Sequence, residues 1–277
     1  MLPGHWFSEN PDKAWSEKYF LVFIPIFFAY NYFIQRMGWL DVGNFWHIAQ
    51  NLIMWLPYCV FLPLWLRRDS GIPWQRSYWF KFNVYMTVYI FFATYFHTEY
   101  FFDVLGMRYH FPKVTLYADS YLLGPDEATA LQAFKKVPPG MYFNAIAFFI
   151  VYHTASVVCL RRMRTLTAPA PALLRRVLWV VTVAMTAFFF AWAETFFYIN
   201  SAATDNVWYV DKARQLGIGS VCYALYFIVS FPNVYRMDEN RDGERWSVSR
   251  SVIEACFVSM VSLLLLDLFT WVVGPMR

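Results

Sequence analysis

The chain is 277 residues long, with 59% hydrophobic, 22% aromatic and 15% charged residues and a mean hydropathy of +0.36. Soluble domains run at about 45–50% apolar and about 25% charged, so this composition excludes a soluble enzyme, a disordered chain and a disulfide-built extracellular scaffold. The net charge of +4 is too small and too scattered for a nucleic-acid partner, and its basic residues read as flanks of membrane spans.

A bilayer core of about 30 Å needs roughly 20 apolar residues in a helix. Taken in chain order, seven stretches qualify: 19–35, 45–66, 78–105, 141–160, 174–200, 218–235 and 250–273. They predict an all-α membrane protein, a bundle of about seven transmembrane helices forming a single domain over 1–277. Ahead of the first, residues 1–15 carry acids and no basic segment, which predicts a retained anchor rather than a cleaved signal. Pro25, Pro57 and Pro63 predict kinks in the first two spans. Pro169 and Pro171 mark a short turn between the fourth and fifth. Most of the lysines and arginines, including Lys13, Arg67, Lys81, Arg161 and Arg236, fall in connections on one side. That asymmetry predicts a cytoplasmic N-terminus and an outward C-terminus. Cys59, Cys159, Cys222 and Cys256 lie in or at the end of apolar runs without CxxC spacing, and read as buried small hydrophobes.

Ionisable residues at membrane depth are costly and mark candidate sites. They are His47, His97, Glu99, Asp103, His153, Glu194, Glu254 and Asp267, accompanied by the amides Asn31, Asn51, Asn83 and Asn144. Spans three, five and seven run in one direction, which predicts Glu99, Glu194 and Asp267 in one layer of the outward half. His97 and Glu99 are two positions apart, about 200° around a regular helix, and face one site only where the helix unwinds. The structural readings beside these are specific. Asp103 and Asp267 can bond a neighbouring aromatic or backbone group, and His47 can anchor at the interface. Glu254 can pair with Arg250 at i,i+4, and His153 can be a hydrogen-bonded packing residue.

The inventory excludes several classes. No mid-span lysine in the seventh span serves a retinal Schiff base, and five scattered histidines cannot build a di-iron centre. There is no HExxH, no GxSxG and no glycine-rich phosphate loop, so no metal and no nucleotide are expected. Two readings remain: a cofactor-free acid–base enzyme acting on a hydrophobic substrate, or a lipid-binding or receptor-like protein without catalysis.

Longer strings narrow the choice. They are NPDKAW at 10–15, RSYWFKFNVY at 76–85, YFHTEYFFDVLGMRYHFP at 95–112, YHTASVVCLRRMR at 152–164, AETF at 193–196, YALYFIVSFPNVYRMDE at 223–239 and LLDLFTWVVGP at 265–275. In this order and spacing the chain resembles the cycloeucalenol cycloisomerase, or cyclopropyl sterol isomerase, family. The resemblance implies opening of the 9β,19-cyclopropane ring of a sterol, as from cycloeucalenol to obtusifoliol, in the endoplasmic reticulum of a eukaryote or the inner membrane of a bacterium. Such an isomerisation adds a proton at C19 and loses one at C8, with no redox cofactor. A carboxylic acid kept neutral in a low-dielectric pocket can supply the proton, and aromatic faces can stabilise the cation. Glu194, in a family string and among aromatics, is the expected donor, with Glu99 second. His153 and His97 are expected as the base or as groups orienting the acid. Tyr152, Tyr223, Tyr226 and Asp267 are expected to support or bind the sterol, the tyrosines of 223 and 226 being candidates for its 3-hydroxyl. At 96–100 the chain reads FHTEY where the family pattern reads FWTHY, so Glu99 stands in place of a histidine. The loop 114–140 is long and is a candidate cap. The RMDE motif at 236–239 is expected to be structural, paired internally or with Arg241 and Arg245.

Overall fold

A computed structural model of the protein describes residues 4–118 and 134–274. Among them seven helices form. Helix α1 (Pro11–Arg36) is started by Asn10, whose side chain accepts from the Asp12 amide, with Pro11 preset for the first turn. Helix α2 (Asn44–Leu66) passes through a π turn at Pro57–Phe61, where Pro57 removes a backbone donor. Helix α3 runs over Tyr78–Phe92, a π turn at Ala93–His97 and Thr98–Asp103. Helix α4 (Pro139–Leu166), α5 (Ala172–Asn200), α6 (Lys212–Arg236) and α7 (Val248–Val273) follow. Asp211 and Ser247 cap the last two, accepting from the Arg214 and Arg250 amides.

Each predicted span lies on one of these helices, but five rather than seven are long and apolar enough to cross a membrane: α2, α4, α5, α6 and α7. Helix α1 begins two turns before its predicted span and carries Asp12, Lys13, Glu17 and Lys18 there, and α3 is diluted by tyrosine, asparagine and lysine. Helix α4 is central, packing on α1, α2, α3, α5 and α6. The outer faces of α5 and α7 present Leu173, Val180, Met185, Leu264 and Trp271, a surface suited to lipid. Cys59 and Cys222 are buried, whereas Cys159 is exposed on α4, against the expectation of a buried thiol.

The two ends of the bundle differ. At the tail end, where the N-terminal segment packs, charges are buried in pairs. Arg161 bonds both carboxylate oxygens of Glu17 at 2.6 and 2.8 Å and both of Glu239 at 2.7 Å. Lys13 pairs with Glu239 at 2.9 Å and donates to the Val234, Tyr235 and Met237 carbonyls at the end of α6. Val234 also accepts the Met237 amide, and the buried cation satisfies the carbonyls beyond it at the helix end. Asp12 receives Arg67 and the Tyr78 amide, capping α3 from another helix. Lys81 bonds Asp238, which also accepts the Trp246 amide. RMDE is therefore a buried clasp: its acids take Lys81, Lys13 and Arg161, not Arg241 or Arg245.

The opposite end is closed by a two-stranded antiparallel ribbon, β1 (Met107–Tyr109) with β2 (Val207–Tyr209). Gly106 precedes β1 at φ +69°, a conformation that favours glycine. Lys135 pairs with Asp103 at 2.6 Å, tying the end of the long connection back to α3. The middle of that connection lies outside the described residues. His47 is buried and packs edge-on against Phe111. Gly140 allows this approach, since a Cβ there would stand 2.3 Å from the His47 ring.

Removing one partner of a buried ion pair costs about 3–5 kcal/mol. Asp238→Asn, which leaves the buried Lys81 uncompensated, is expected to lower the thermal unfolding midpoint in detergent correspondingly. Burial pushes the Glu239 carboxyl up, but the Arg161 hydrogen bond and Lys13 outweigh it and hold it below its ordinary value. Its stabilisation is complete above about pH 4.3, the unfolded value, and is lost as pH falls through the lower folded value. A pH series of melting curves should show this slope, and Glu239→Gln should flatten it.

Candidate active site

Between α3, α4, α5, α6 and the ribbon lies a narrow, partly open cavity. Its wall is mostly apolar and aromatic: Ile90, Ala93, Phe101, Met141, Phe148 and Phe149 from α3 and α4, and Met107, Tyr109, Val207 and Tyr209 from the ribbon. Tyr198, Tyr223 and Tyr226 complete it. Glu194 is its carboxyl. Among the described lining residues no other ionisable acid or base enters, apart from the tyrosine hydroxyls.

Helix α5 places Glu194 six residues before its end, on the face turned toward α4 and α6. The Tyr223 hydroxyl donates to its Oε2 at 2.5 Å, and Tyr152 of α4 lies beside the carboxyl. Thr195, beside it, satisfies its own hydroxyl on the Ala191 carbonyl at 2.9 Å. The acid is thus gripped from α6 while facing rings. Burial and the nearby Glu194 charge push the Tyr109 and Tyr209 hydroxyls of the ribbon above their ordinary range. Both remain neutral donors.

The other predicted site residues are placed as follows. Tyr223 and Tyr226 line the cavity, and Tyr152 touches it through Glu194. Glu99 is buried on α3 next to the lining residue Thr98 but does not itself line the cavity. The π turn at Ala93–His97 does interrupt the helix ahead of it. His97 packs edge-on to the Tyr226 ring, 5.2 Å between centroids, behind the wall. His153 is fully buried and also outside the cavity. Its Nδ1 lies 2.8 Å from the Phe149 carbonyl and its Nε2 2.8 Å from the Ser230 hydroxyl. A carbonyl only accepts, so Nδ1 carries the proton and Nε2 accepts from Ser230. Asp267 sits on the exposed surface of α7, receiving the Tyr100 hydroxyl at 3.2 Å. The three carboxyls thus do not converge: only Glu194 enters the cavity. Glu254 takes Asn233 at 2.7 Å and approaches Arg250 at 3.6 Å, the i,i+4 pairing expected.

Sequence reasoning missed Tyr109, Tyr198 and Tyr209. The signal was present as Met107-x-Tyr109 and Val207-x-Tyr209, a period of two, but strands of three residues are too short to stand out.

No family model matches the chain, and no solved structure matches it. The protein named cycloeucalenol cycloisomerase of Arabidopsis thaliana is 30% identical over 277 residues, covering 99% of this chain and 91% of the relative. The chain belongs to the cycloeucalenol cycloisomerase family. It is an isomerase of sterol metabolism built on a multi-pass membrane fold.

A hydrogen bond to a charged group contributes about 1.5–3 kcal/mol. Tyr223→Phe deletes the bond to Glu194 without changing ring shape, and should reduce kcat by about tenfold or more while melting temperature stays within a few degrees. Steady-state kinetics on purified protein measures this.

Proposed function

We propose that the protein opens the 9β,19-cyclopropane ring of a cyclopropyl sterol, with Glu194 as the proton donor. The observation that carries this reading is the single carboxyl in an apolar, ring-lined cavity, held by Tyr223 at 2.5 Å. The membership of the family supports the substrate class.

The chemistry balances without a redox partner. Glu194 delivers its proton to C19 as the C9–C19 bond breaks, so C19 becomes a methyl group and C9 becomes electron-poor. A proton then leaves C8, and its bonding pair forms the C8–C9 double bond. The Glu194 carboxylate, steadied by Tyr223, is the base that this cavity offers for that proton, which returns the acid to its starting state. A cyclopropane is a poor base, so the acid has to be presented closely and with little competing water. The wall of aliphatic and aromatic side chains meets that need. Ring faces stabilise a desolvated cation by about 2 kcal/mol or more each, and Phe101, Phe148, Tyr109 and Tyr209 present rings around the site.

Incubation with cycloeucalenol and no added cofactor, followed by gas chromatography, should yield an 8-ene sterol. In heavy water the new C19 methyl should carry deuterium, because a half-buried carboxyl exchanges with solvent between turnovers. Glu194→Gln keeps the side-chain shape and should lower turnover by roughly 10²–10⁴-fold, with sterol binding retained. Near-full activity in that variant would remove Glu194 from the mechanism. Saturable binding with no product would instead make the protein a sterol carrier.

A further inference from the structure

Three asparagines from three helices meet behind the cavity. Asn144 of α4 is 5% exposed and lines it. Its Nδ2 donates to Asn51 Oδ1 of α2 at 3.0 Å and to Asn31 Oδ1 of α1 at 3.5 Å. The orientation of the trio follows from chemistry. Asn51 Nδ2 donates to the His47 carbonyl at 2.7 Å, and Asn31 Nδ2 donates to the Phe27 carbonyl at 3.1 Å and to the Met54 sulfur. Backbone carbonyls only accept, so both amides have to present their NH2 groups there and their oxygens to Asn144. Two oxygens facing Asn144 then hold its NH2 toward them. Its own Oδ1 is turned the other way, and receives no hydrogen bond among the described residues.

An amide oxygen without a partner in an apolar wall is costly unless a ligand supplies a donor. We infer that Asn144 Oδ1 is the acceptor for the 3-hydroxyl of the sterol, the polar anchor that sets the ring system in register with Glu194. The inference rests on the cavity being the sterol site. It moves the hydroxyl contact away from Tyr223, which is committed to Glu194. It also assigns a requirement: the substrate carries a hydrogen-bond donor at C3, so a free alcohol is accepted and a ketone, which adds a second acceptor, is rejected. Asn31 and Asn51 are positioning residues, acting through Asn144.

The test uses the purified full-length chain and two cyclopropyl sterols of equal size, the 3-hydroxy compound and its 3-ketone. The wild-type protein should favour the alcohol in kcat/KM by about tenfold or more, the discrimination expected of one buried hydrogen bond, with the difference carried by KM. Asn144→Leu should raise KM for the alcohol to that for the ketone. Asn51→Leu, which loosens the amide, should lose part of the preference. Equal kcat/KM for alcohol and ketone in the wild-type protein would overturn the assignment without any variant. So would an undiminished preference in folded Asn144→Leu, or its loss in Tyr226→Phe alone. Failure of the isomerase reading looks different: no 8-ene product forms from either sterol.

Discussion

Arg161 is the contact on which the tail end of the bundle depends. A buried guanidinium is tolerable only when its donors are met, and here Glu17, Glu239 and the Trp6 carbonyl meet them. Those partners come from α1, from the connection after α6 and from the N-terminal segment, so one side chain sets three chain segments around the end of α4. Lys13 extends the same logic by closing the carbonyl end of α6, and Lys81 with Asp238 does so for α3. Replacing such pairs by apolar residues would often cost little in stability. What the charges add is orientation: each helix end has one partner of the opposite sign to find.

Besides the proline-driven π turn of α2, two further π turns fall on helices around the cavity. The π turns at Ala93–His97 and Gln215–Gly219 lie on α3 and α6, both of which wall the cavity, and single π turns are frequent at functional sites. Several hydroxyls elsewhere in the spans are satisfied close to home. Thr87, Thr154, Thr182, Ser259 and Thr270 each bond the carbonyl four residues back. His153 spends both ring nitrogens on Phe149 and Ser230 and is thereby a packing residue between α4 and α6. Two polar side chains of the cavity wall differ from these: the Glu194 carboxyl, held by Tyr223 from another helix, and the Asn144 amide, held by Asn31 and Asn51.

Much of the fold was legible in the sequence, and part of the site. All seven predicted spans fall on helices because hydropathy and helix capping are read over a local window. The window overrated α1 and α3, whose aromatic residues look apolar yet carry hydroxyls, with charges at one end. Glu194 was legible because an acid among Phe188, Phe190, Trp192 and Phe197 has few uses at membrane depth. His153, Glu99 and Asp267 carried the same membrane-depth signal but lie in different surroundings. Residue type and depth do not say which way around the helix a side chain points, nor what receives it there.

By itself the sequence determined the class of the protein, its helices and its stock of chemistry, since each depends on neighbours within a few turns. The tertiary structure decided the partners. Tyr223 lies 29 positions from Glu194, Asn144 113 from Asn31, and Arg161 144 from Glu17. A hydrogen bond is made within about 3 Å and a narrow angle, and nothing in local pattern encodes which distant groups the packing of α4 against its neighbours brings into that range.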